Sequence, residues 1–532
     1  MTWGTDNKEV RMNVCLLNDS FPPVIDGVAN VVMNYADVLT KMGQKVCVAT
    51  PAYPDADYEG YPYSVVAYKS IDTTEIVKGY RAGNPFDRQA LNKMRLFKPD
   101  IIHTHCPVAS TMMARALNRD VDVPVVFTYH TKFDVDIARA VKAKTLQNEG
   151  AKIMVDNIEA CDEVWTVSHG AGENLKSLGF QGDYRVVSNG VDFDKGRVEE
   201  DFVRGVTKEF DLPQELPIFL FVGRIMEYKG LPLIIDALKI LSEKGRDFRM
   251  VFVGGGADAE KMRKKAAECG LSVDIKNEDG GIEAFAISDK PGKIIFAGPE
   301  HDRKILRAWN TASRLFLFPS TYDTNGIVVR EAAACGLASV LIKDSCAAEG
   351  ITDGVNGFLI DEDAQSMARV LEECGFDRDL TGAAGQRAMD EIYISWSDAV
   401  RLAYERYEEL VELKKSGQLP SKKEASDNLI RFMEHFASGT DMMFTEVRDL
   451  KDGMMENFNE TIEEISEKRN ALKQDMMEKK EAFVEQMNEK KEAFAEQMNE
   501  KKEALAGKMH ETRDAITQKL LTKSGGLRHE KD

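Results

Sequence analysis

The order in which strands, glycine loops and helices recur constrains this chain more than any other feature. Residues 11–17 are a short apolar run that reads as a buried strand. A Pro/Gly loop from Phe21 to Gly27 follows, then a helical stretch from about Val28 to Met42 that stops at Gly43, then a second apolar run at 45–50. Strand, glycine loop, helix, strand is the opening of a doubly wound parallel sheet. Further strands are expected at 99–103, 124–129, 163–167 and 184–187, with a helix at Ala109–Leu117 among them. The pattern then restarts, with a strand at 217–222, a loop at Gly223–Gly230 and a helix at Leu231–Lys244. Strands at 249–253, 294–296, 315–318 and 338–342 complete it. Two α/β domains are therefore expected, at residues 1–205 and 206–395, with a closing helix at 396–413. Ligands of such sheets bind beyond the carboxyl ends of the strands, so two facing sheets would share one cleft.

Composition narrows the function. Of 532 residues, 43% are hydrophobic and 30% charged, enough apolar side chain for a large core. Asp+Glu 89 against Lys+Arg 70 leaves a net charge of −19, which argues against nucleic acid as a partner. The eight cysteines are scattered and never form CxxC, the pattern of reduced thiols in a cytoplasmic protein and not of a disulfide frame or zinc site. The segment MTWGTDNKEV has no apolar signal core behind it, and no run approaches 18 apolar residues. Contact with a bilayer is expected to be peripheral.

The last part of the chain is different in kind. A linker is expected at 414–440, where Pro420 is the final proline, and a helical tail at 441–532. Four successive units at 476–486, 487–497, 498–508 and 509–519 repeat with an 11-residue period. Eleven residues in three turns stack Met476, Met487, Met498 and Met509 into a stripe, with Phe483, Phe494, Leu505 and Ile516 beside it. Lysines such as Lys490 and Lys491 flank the stripe, and acids such as Glu489, Glu492 and Glu496 lie opposite. Such a helix suits a lipid surface, where lysines reach the headgroups. The same pattern also suits an 11-residue-repeat coiled coil through which copies of the chain would associate.

Three segments carry chemistry. In Phe318-Pro319-Ser320-Thr321-Tyr322-Asp323-Thr324-Asn325-Gly326, followed by Ile327 to Ala332, Asp323 and Glu331 are separated by seven residues across a strand end and a helix start. Acids so placed can accept bonds from sugar hydroxyls while helix N-terminal amides bind anions, though on these residues alone charge capping of the helix is the better explanation. The loop Gly223 to Gly230 carries Arg224 and Lys229 directly after a buried strand, where they could neutralise a diphosphate or be surface charges. In Pro22 to Asn30, Gly27 before a helix start allows backbone amides to approach a phosphate, or serves a tight turn.

Together these segments resemble the GT-B retaining glycosyltransferases of family 4, over about residues 11–413. The glycine loop after the first strand stands here as Asp26-Gly27, and DIIHTHCP (100–107) is similar to the family's strand-end motif. TYHTKF (128–133) is similar to its active-site histidine segment, SNGVD (188–192) to its Asn-Gly-Val-Asp turn, and ISWSDAV (394–400) to its late Trp segment. The basic pair is Arg224 and Lys229, and the E-x7-E pair is Asp323 and Glu331. The resemblance implies two Rossmann-like domains facing a cleft, 1–205 on the acceptor side and 206–395 on the nucleotide-sugar side. It implies that Arg224 and Lys229 bind the donor diphosphate and stabilise the leaving group without a metal or cofactor. Gly27 would offer its amide to the phosphate, Glu331 would hold the ribose, Asp323 the sugar hydroxyls, and His130 would contact the sugar near the reacting carbon. Asp323 stands where Glu is usual, and Asn325 replaces the usual aromatic before Gly326; both departures bear on the choice of sugar, and Asn325 and Gly326 are expected to bind substrate.

Other strings carry less. Asp55-Ala56-Asp57, Asp134-Val135-Asp136 and Asp192-Phe193-Asp194 repeat a metal-binding motif of another glycosyltransferase fold, without discrimination in so acidic a chain. His103 and His105 with Cys106 suggest a metal site by residue type, but read better as a strand-end turn lining the cleft. Gly254-Gly255-Gly256 reads either as an approach to the nucleotide or as a tight turn. Lys132, Arg139, Lys142, Lys144 and Lys152 form a solvated helix face or a docking face for anionic headgroups. The expected activity is transfer of a hexose, with UDP-glucose as donor and retention of configuration, to a lipid such as diacylglycerol at the inner face of the cell membrane. A soluble acceptor with a self-associating tail is the alternative within the class. A non-catalytic body whose tail is the working part is the alternative outside it.

Overall fold

The structure, a computed structural model, describes residues 11–73, 80–132, 144–277 and 279–419, all within one compact unit, Met1–His435. Most of the linker expected at 414–440, and the whole 11-residue-repeat tail with its lipid-surface and coiled-coil readings, lie outside the described residues.

The first half builds β1 (Asn13–Leu17), α1 (Gly27–Lys41), β2 (Lys45–Pro51), β3 (Ser64–Tyr68), and a small ladder of β4 (Ser70–Asp72) and β5 (Arg81–Gly83). It continues through α2 (Arg88–Phe97), β6 (Ile101–Thr104), α3 (Ala109–Val121), β7 (Val125–Tyr129), α4 (Lys144–Glu159), β8 (Glu163–Thr166), α5 (His169–Ser177) and β9 (Arg185–Val186). Its seven-stranded sheet runs β3-β2-β1-β6-β7-β8-β9, every pair parallel. Parallel strands are covered on both faces, which is why β1, β2, β6 and β7 are near-continuous apolar runs.

The second half follows α6 (Glu200–Thr207) with β10 (Ile218–Val222), α7 (Leu231–Glu243), β11 (Arg249–Val253), α8 (Ala259–Glu268), β12 (Ser272–Lys276), β13 (Ile282–Ala286) and β14 (Lys293–Gly298). Then come α9 (Arg303–Ala312), β15 (Leu315–Phe318), α10 (Ile327–Ala334), β16 (Ser339–Ile342), β17 (Phe358–Ile360), α11 (Ala364–Glu373), α12 (Arg378–Glu391) and α13 (Trp396–Lys415). The eight-stranded sheet runs β13-β12-β14-β11-β10-β15-β16-β17, parallel except for the edge strand β13. The strand order turns outward in both directions from β1 and β6 in the first sheet and from β10 and β15 in the second. These are the switch points where open α/β sheets bind ligands.

The helix α13 does not stay with the half that precedes it. Its Trp396, Val400, Ala403, Tyr407 and Leu410 join Val31, Val32, Tyr35 and Leu39 of α1 in one buried cluster against the first sheet. Arg406 bonds Glu163 through Nε (3.0 Å) and again through Nη2, and Tyr407 stacks on Trp165 with centroids 5.5 Å apart. Among the described residues no helix is long and apolar enough to cross a membrane.

Candidate active site

The loops leaving β10 and β15 meet at the second switch point. Gly230 holds φ +79°, and a Cβ there would lie 2.1 Å from the Pro319 carbonyl oxygen, so only glycine lets the two loops come this close. That approach brings Lys229 Nζ to 2.5 Å from Asp323 Oδ1, while Ser320 Oγ donates to Asp323 Oδ2 at 2.6 Å. The ammonium sits 5.5 Å above the Phe318 ring. Arg224, on the same loop, is exposed and has no ion-pair or hydrogen-bond partner among the described residues. One cation is thus held against an acid and a second is available for an anion.

The turn Gly254-Gly255-Gly256 supports this loop from behind. A Cβ on Gly254 (φ +148°) would lie 1.9 Å from the Gly223 oxygen, and one on Gly256 would lie 2.3 Å from the Ile225 oxygen. Ile225 N–H donates to the Gly255 carbonyl at 2.9 Å. Of the two readings of the glycine run, these contacts supply the structural one.

Beyond Asp323, Asn325 is only 8% exposed, and neither its amide nitrogen nor its oxygen has a hydrogen-bond partner among the described residues. Gly326 takes φ +56° to start α10, whose N-terminus no side chain caps. Its first amides remain suited to an anion. One turn later Glu331 is buried, and Arg303 Nη1 reaches its Oε1 at 2.8 Å while Nη2 reaches Asp192 Oδ2 at 2.9 Å. Burial pushes the Glu331 carboxyl up to about 7 although Arg303 pulls the other way.

The first sheet contributes from the opposite side. Asp26 caps α1, accepting from Val28 N–H at 2.9 Å and Ala29 N–H at 2.7 Å, and takes the Tyr80 hydroxyl at 2.7 Å. The Gly27 amide is not among the groups that Asp26 takes, and a Cβ on Gly27 would meet nothing within 4 Å. His130, just after β7, is buried, and that burial pushes its imidazole down to about 4. Its carbonyl accepts from Thr324 Oγ1 at 2.7 Å, and Lys132 Nζ donates to the Thr321 carbonyl at 3.1 Å, so the His130 loop lies against the Asp323 loop. A second clasp comes from Glu349, whose oxygens accept from the His169 and Gly170 amides of α5 at 2.7 and 2.6 Å. A cavity of about 530 Å³ lies elsewhere, lined by Phe202, Phe210, Lys276, Ala297, Glu300 and Trp309, and contains none of these groups.

Two paired α/β sheets with such loops at their switch points can be compared with known proteins. Residues 25–195 match the family described as Glycosyltransferase Family 4, and residues 216–374 match Glycosyl transferases group 1. The chain thus carries two glycosyltransferase domains in a GT-B fold. It is 20% identical over 375 residues to the alpha-monoglucosyldiacylglycerol synthase of Acholeplasma laidlawii, covering 68% of this chain and 87% of that one. It is 26% identical over 385 residues to the sulfoquinovosyl transferase SQD2 of Arabidopsis thaliana, covering 69% of this chain and 67% of that one. Among solved structures, Anabaena HepE in complex with UDP aligns with TM-score 0.57 at 16% identity, over 75% of this chain and 100% of that one. Sucrose-phosphate synthase from Thermosynechococcus elongatus gives 0.57 at 18%, over 76% and 100%.

Of the site residues expected in this glycosyltransferase, Arg224, Lys229, Asp323, Asn325 and Gly326 lie on the two loops of the second switch point. Glu331 follows on α10, Gly27 opens α1, and His130 stands just after β7 of the first sheet. The SNGVD turn has a different neighbour: a Cβ on Gly190 would lie 2.5 Å from Trp396, and Val191 N–H donates to the Ile394 carbonyl at 3.0 Å. The SNGVD turn and the late Trp segment thus meet where α13 begins. The sequence pattern does not single out Arg303, Ser320 or Thr324. Asp302-Arg303 signals a helix start, which Asp302 indeed caps, but not the reach of Arg303 to Glu331 and Asp192.

Proposed function

We propose that this glycosyltransferase moves a hexose from UDP-glucose to a membrane lipid such as diacylglycerol, with retention and without a metal. The observation that carries the reading is the juxtaposition at the second switch point. Arg224 is uncommitted, Lys229 is paired with Asp323, and Asn325 is buried with both amide atoms unsatisfied. A diphosphate would recruit Arg224 and draw Lys229 toward it, releasing Asp323 for sugar hydroxyls that also satisfy Asn325. The Gly27 amide and the uncapped N-terminus of α10 would meet phosphate oxygens, and Glu331 would accept from the ribose. The sugar C1–O bond to the phosphate breaks as the acceptor oxygen bonds C1, and the acceptor proton passes to the departing phosphate oxygen. The two cations balance the charge that develops there, and catalysis is mainly positioning and electrostatics.

The lipid acceptor is supported by the relatives named as a monoglucosyldiacylglycerol synthase and a sulfoquinovosyl transferase. In this reading residues 1–205 serve the acceptor, residues 206–395 the donor, and the repeat tail brings the enzyme to an anionic membrane surface as a peripheral protein. The test is nucleotide release from UDP-, GDP- and ADP-sugars, with and without diacylglycerol liposomes, by the wild-type chain and Lys229→Ala. Release from UDP-glucose that rises with liposomes and is lost in Lys229→Ala is expected. Release indifferent to lipid would refute the acceptor, and release from another nucleotide alone would refute the donor.

A further inference from the structure

Behind His130 lies a set of buried imidazoles. His105 follows β6 as His130 follows β7, and because β6 and β7 are neighbours, His105 Nδ1 comes to 2.9 Å from His130 Nε2. The rings stack with centroids 5.2 Å apart, and His105 is 1% exposed. His103, whose ring centroid is 4.0 Å from that of His105, has both nitrogens occupied, by the Tyr407 hydroxyl at 2.5 Å and Thr128 Oγ1 at 2.6 Å. His105 Nε2, by contrast, is buried and has no hydrogen-bond partner among the described residues.

We propose that His105 is a positioning residue that fixes the tautomer of His130, keeping the His130 proton on Nδ1. The first step is a count of protons. Burial keeps all three histidines neutral at physiological pH, so each ring carries a single N–H. The bond between His105 Nδ1 and His130 Nε2 needs one proton between them. If His130 supplies it, the proton of His105 moves to Nε2 and becomes a buried N–H with nothing to accept it. If His105 supplies it, its Nε2 is left with only a lone pair. Orphaned buried donors are the rarer and costlier case, so the second arrangement prevails. His130 then accepts at Nε2 and offers Nδ1–H as its donor. Tyr35 and His103, the rings flanking His105, place no acceptor at its Nε2 that would reverse the choice. Resting on the proposed role of His130, the consequence is that His130 meets its substrate as a hydrogen-bond donor in every turnover.

The tautomer is read directly from long-range proton–nitrogen correlation spectra of the full chain labelled with ¹⁵N-histidine. In the wild type, His130 Nε2 and His105 Nε2 should resonate as lone-pair nitrogens, and the two Nδ1 atoms as protonated ones. His105→Asn keeps an N–H near the Nδ1 position and should preserve that tautomer; His105→Leu removes the donor and should let His130 populate Nε2–H. Transfer kcat is expected to fall about 10- to 100-fold in His105→Leu, with donor KM changed far less, and to recover in His105→Asn. A His130 proton on Nε2 in the wild type would overturn the proposal, whatever the variants do. So would a shifted tautomer in His105→Leu with unchanged kcat. If His105→Leu does not fold, the wild-type spectrum and the Asn variant decide. A wild type inactive on every nucleotide sugar would sink the proposed function and leave the tautomer assignment to the spectrum.

Discussion

Replacing Gly27 by Ala asks whether a glycine is there for the chain or for a ligand. A Cβ at Gly27 has no atom within 4 Å, and Gly27 is not among the glycines at positive φ. The protein without ligand therefore has no steric use for glycine at this position. As the first residue of α1, alanine restricts the unfolded chain, and stability should rise by about 0.4–1 kcal/mol or stay level. In the proposed complex the Gly27 amide donates to a phosphate oxygen, and a methyl group at that distance displaces the anion. A hydrogen bond to a charged group contributes about 1.5–3 kcal/mol, so UDP affinity should fall about 10- to 150-fold. Titration calorimetry with UDP reads the second number and thermal unfolding the first. Gly254→Ala is the contrasting case, because its φ of +148° and the 1.9 Å approach to Gly223 make the substitution a backbone problem. There, strain of about 1–3 kcal/mol should lower Tm and UDP affinity together. Gly27→Ala with unchanged Tm and UDP binding within about twofold of wild type would refute the phosphate contact.

Other substitutions test the remaining parts of the site. Glu331 has a folded pKa raised to about 7, so between the ordinary carboxyl range and 7 the unfolded chain loses this proton first and stability falls as pH rises. Glu331→Gln should remove that slope and stabilise the unliganded protein at pH 8 by up to about 3 kcal/mol, while donor KM rises; a pH series of denaturant melts checks both. Asn325→Ala removes two buried polar atoms that have no partner, so unliganded stability should hold within about 1 kcal/mol while donor KM rises; an unchanged KM would remove Asn325 from the sugar site. Burial raises the Glu163 carboxyl, but bonds from Arg406 and Trp165 outweigh it and hold the group below the carboxylate range. That stability is present at neutral pH and lost as pH falls through the depressed value, so Arg406→Gln should cost about 2–3 kcal/mol at pH 7 and steadily less in acid.

The sequence exposed the central strands because their burial on both faces leaves continuous apolar runs, as in IFLFV of β10 and LFLF of β15. The edges were hidden for the same reason. β12 alternates buried and half-buried residues, β13 is largely exposed, and β17 has three residues, so none shows the signal by which the others were found. At the site, Gly223 and Gly230 marked the Arg224–Lys229 loop, since their backbones take angles other residues avoid. The role of Arg303 could not be read, because its partner Asp192 lies 111 positions away and meets it only through packing of the turn before α6. By spacing alone His105 is a lining residue of the cleft; its bond to His130 depends on β6 and β7 being neighbours, a matter of strand order and not of spacing.

The path of α13 also bears on how the polypeptide is made. Val31, Val32, Tyr35 and Leu39 of α1 leave the ribosome some 360 residues before Trp396, Val400 and Tyr407, the side chains that cover them. Until then the nascent first sheet carries an uncovered apolar face. At about 5–20 residues per second that interval lasts tens of seconds, long enough for a chaperone to bind or for the helix of another copy to dock in place of its own. Final closure of the earlier half thus waits for synthesis of the later one, and a ribosome stalled between them would release an aggregation-prone fragment in place of a small stable domain.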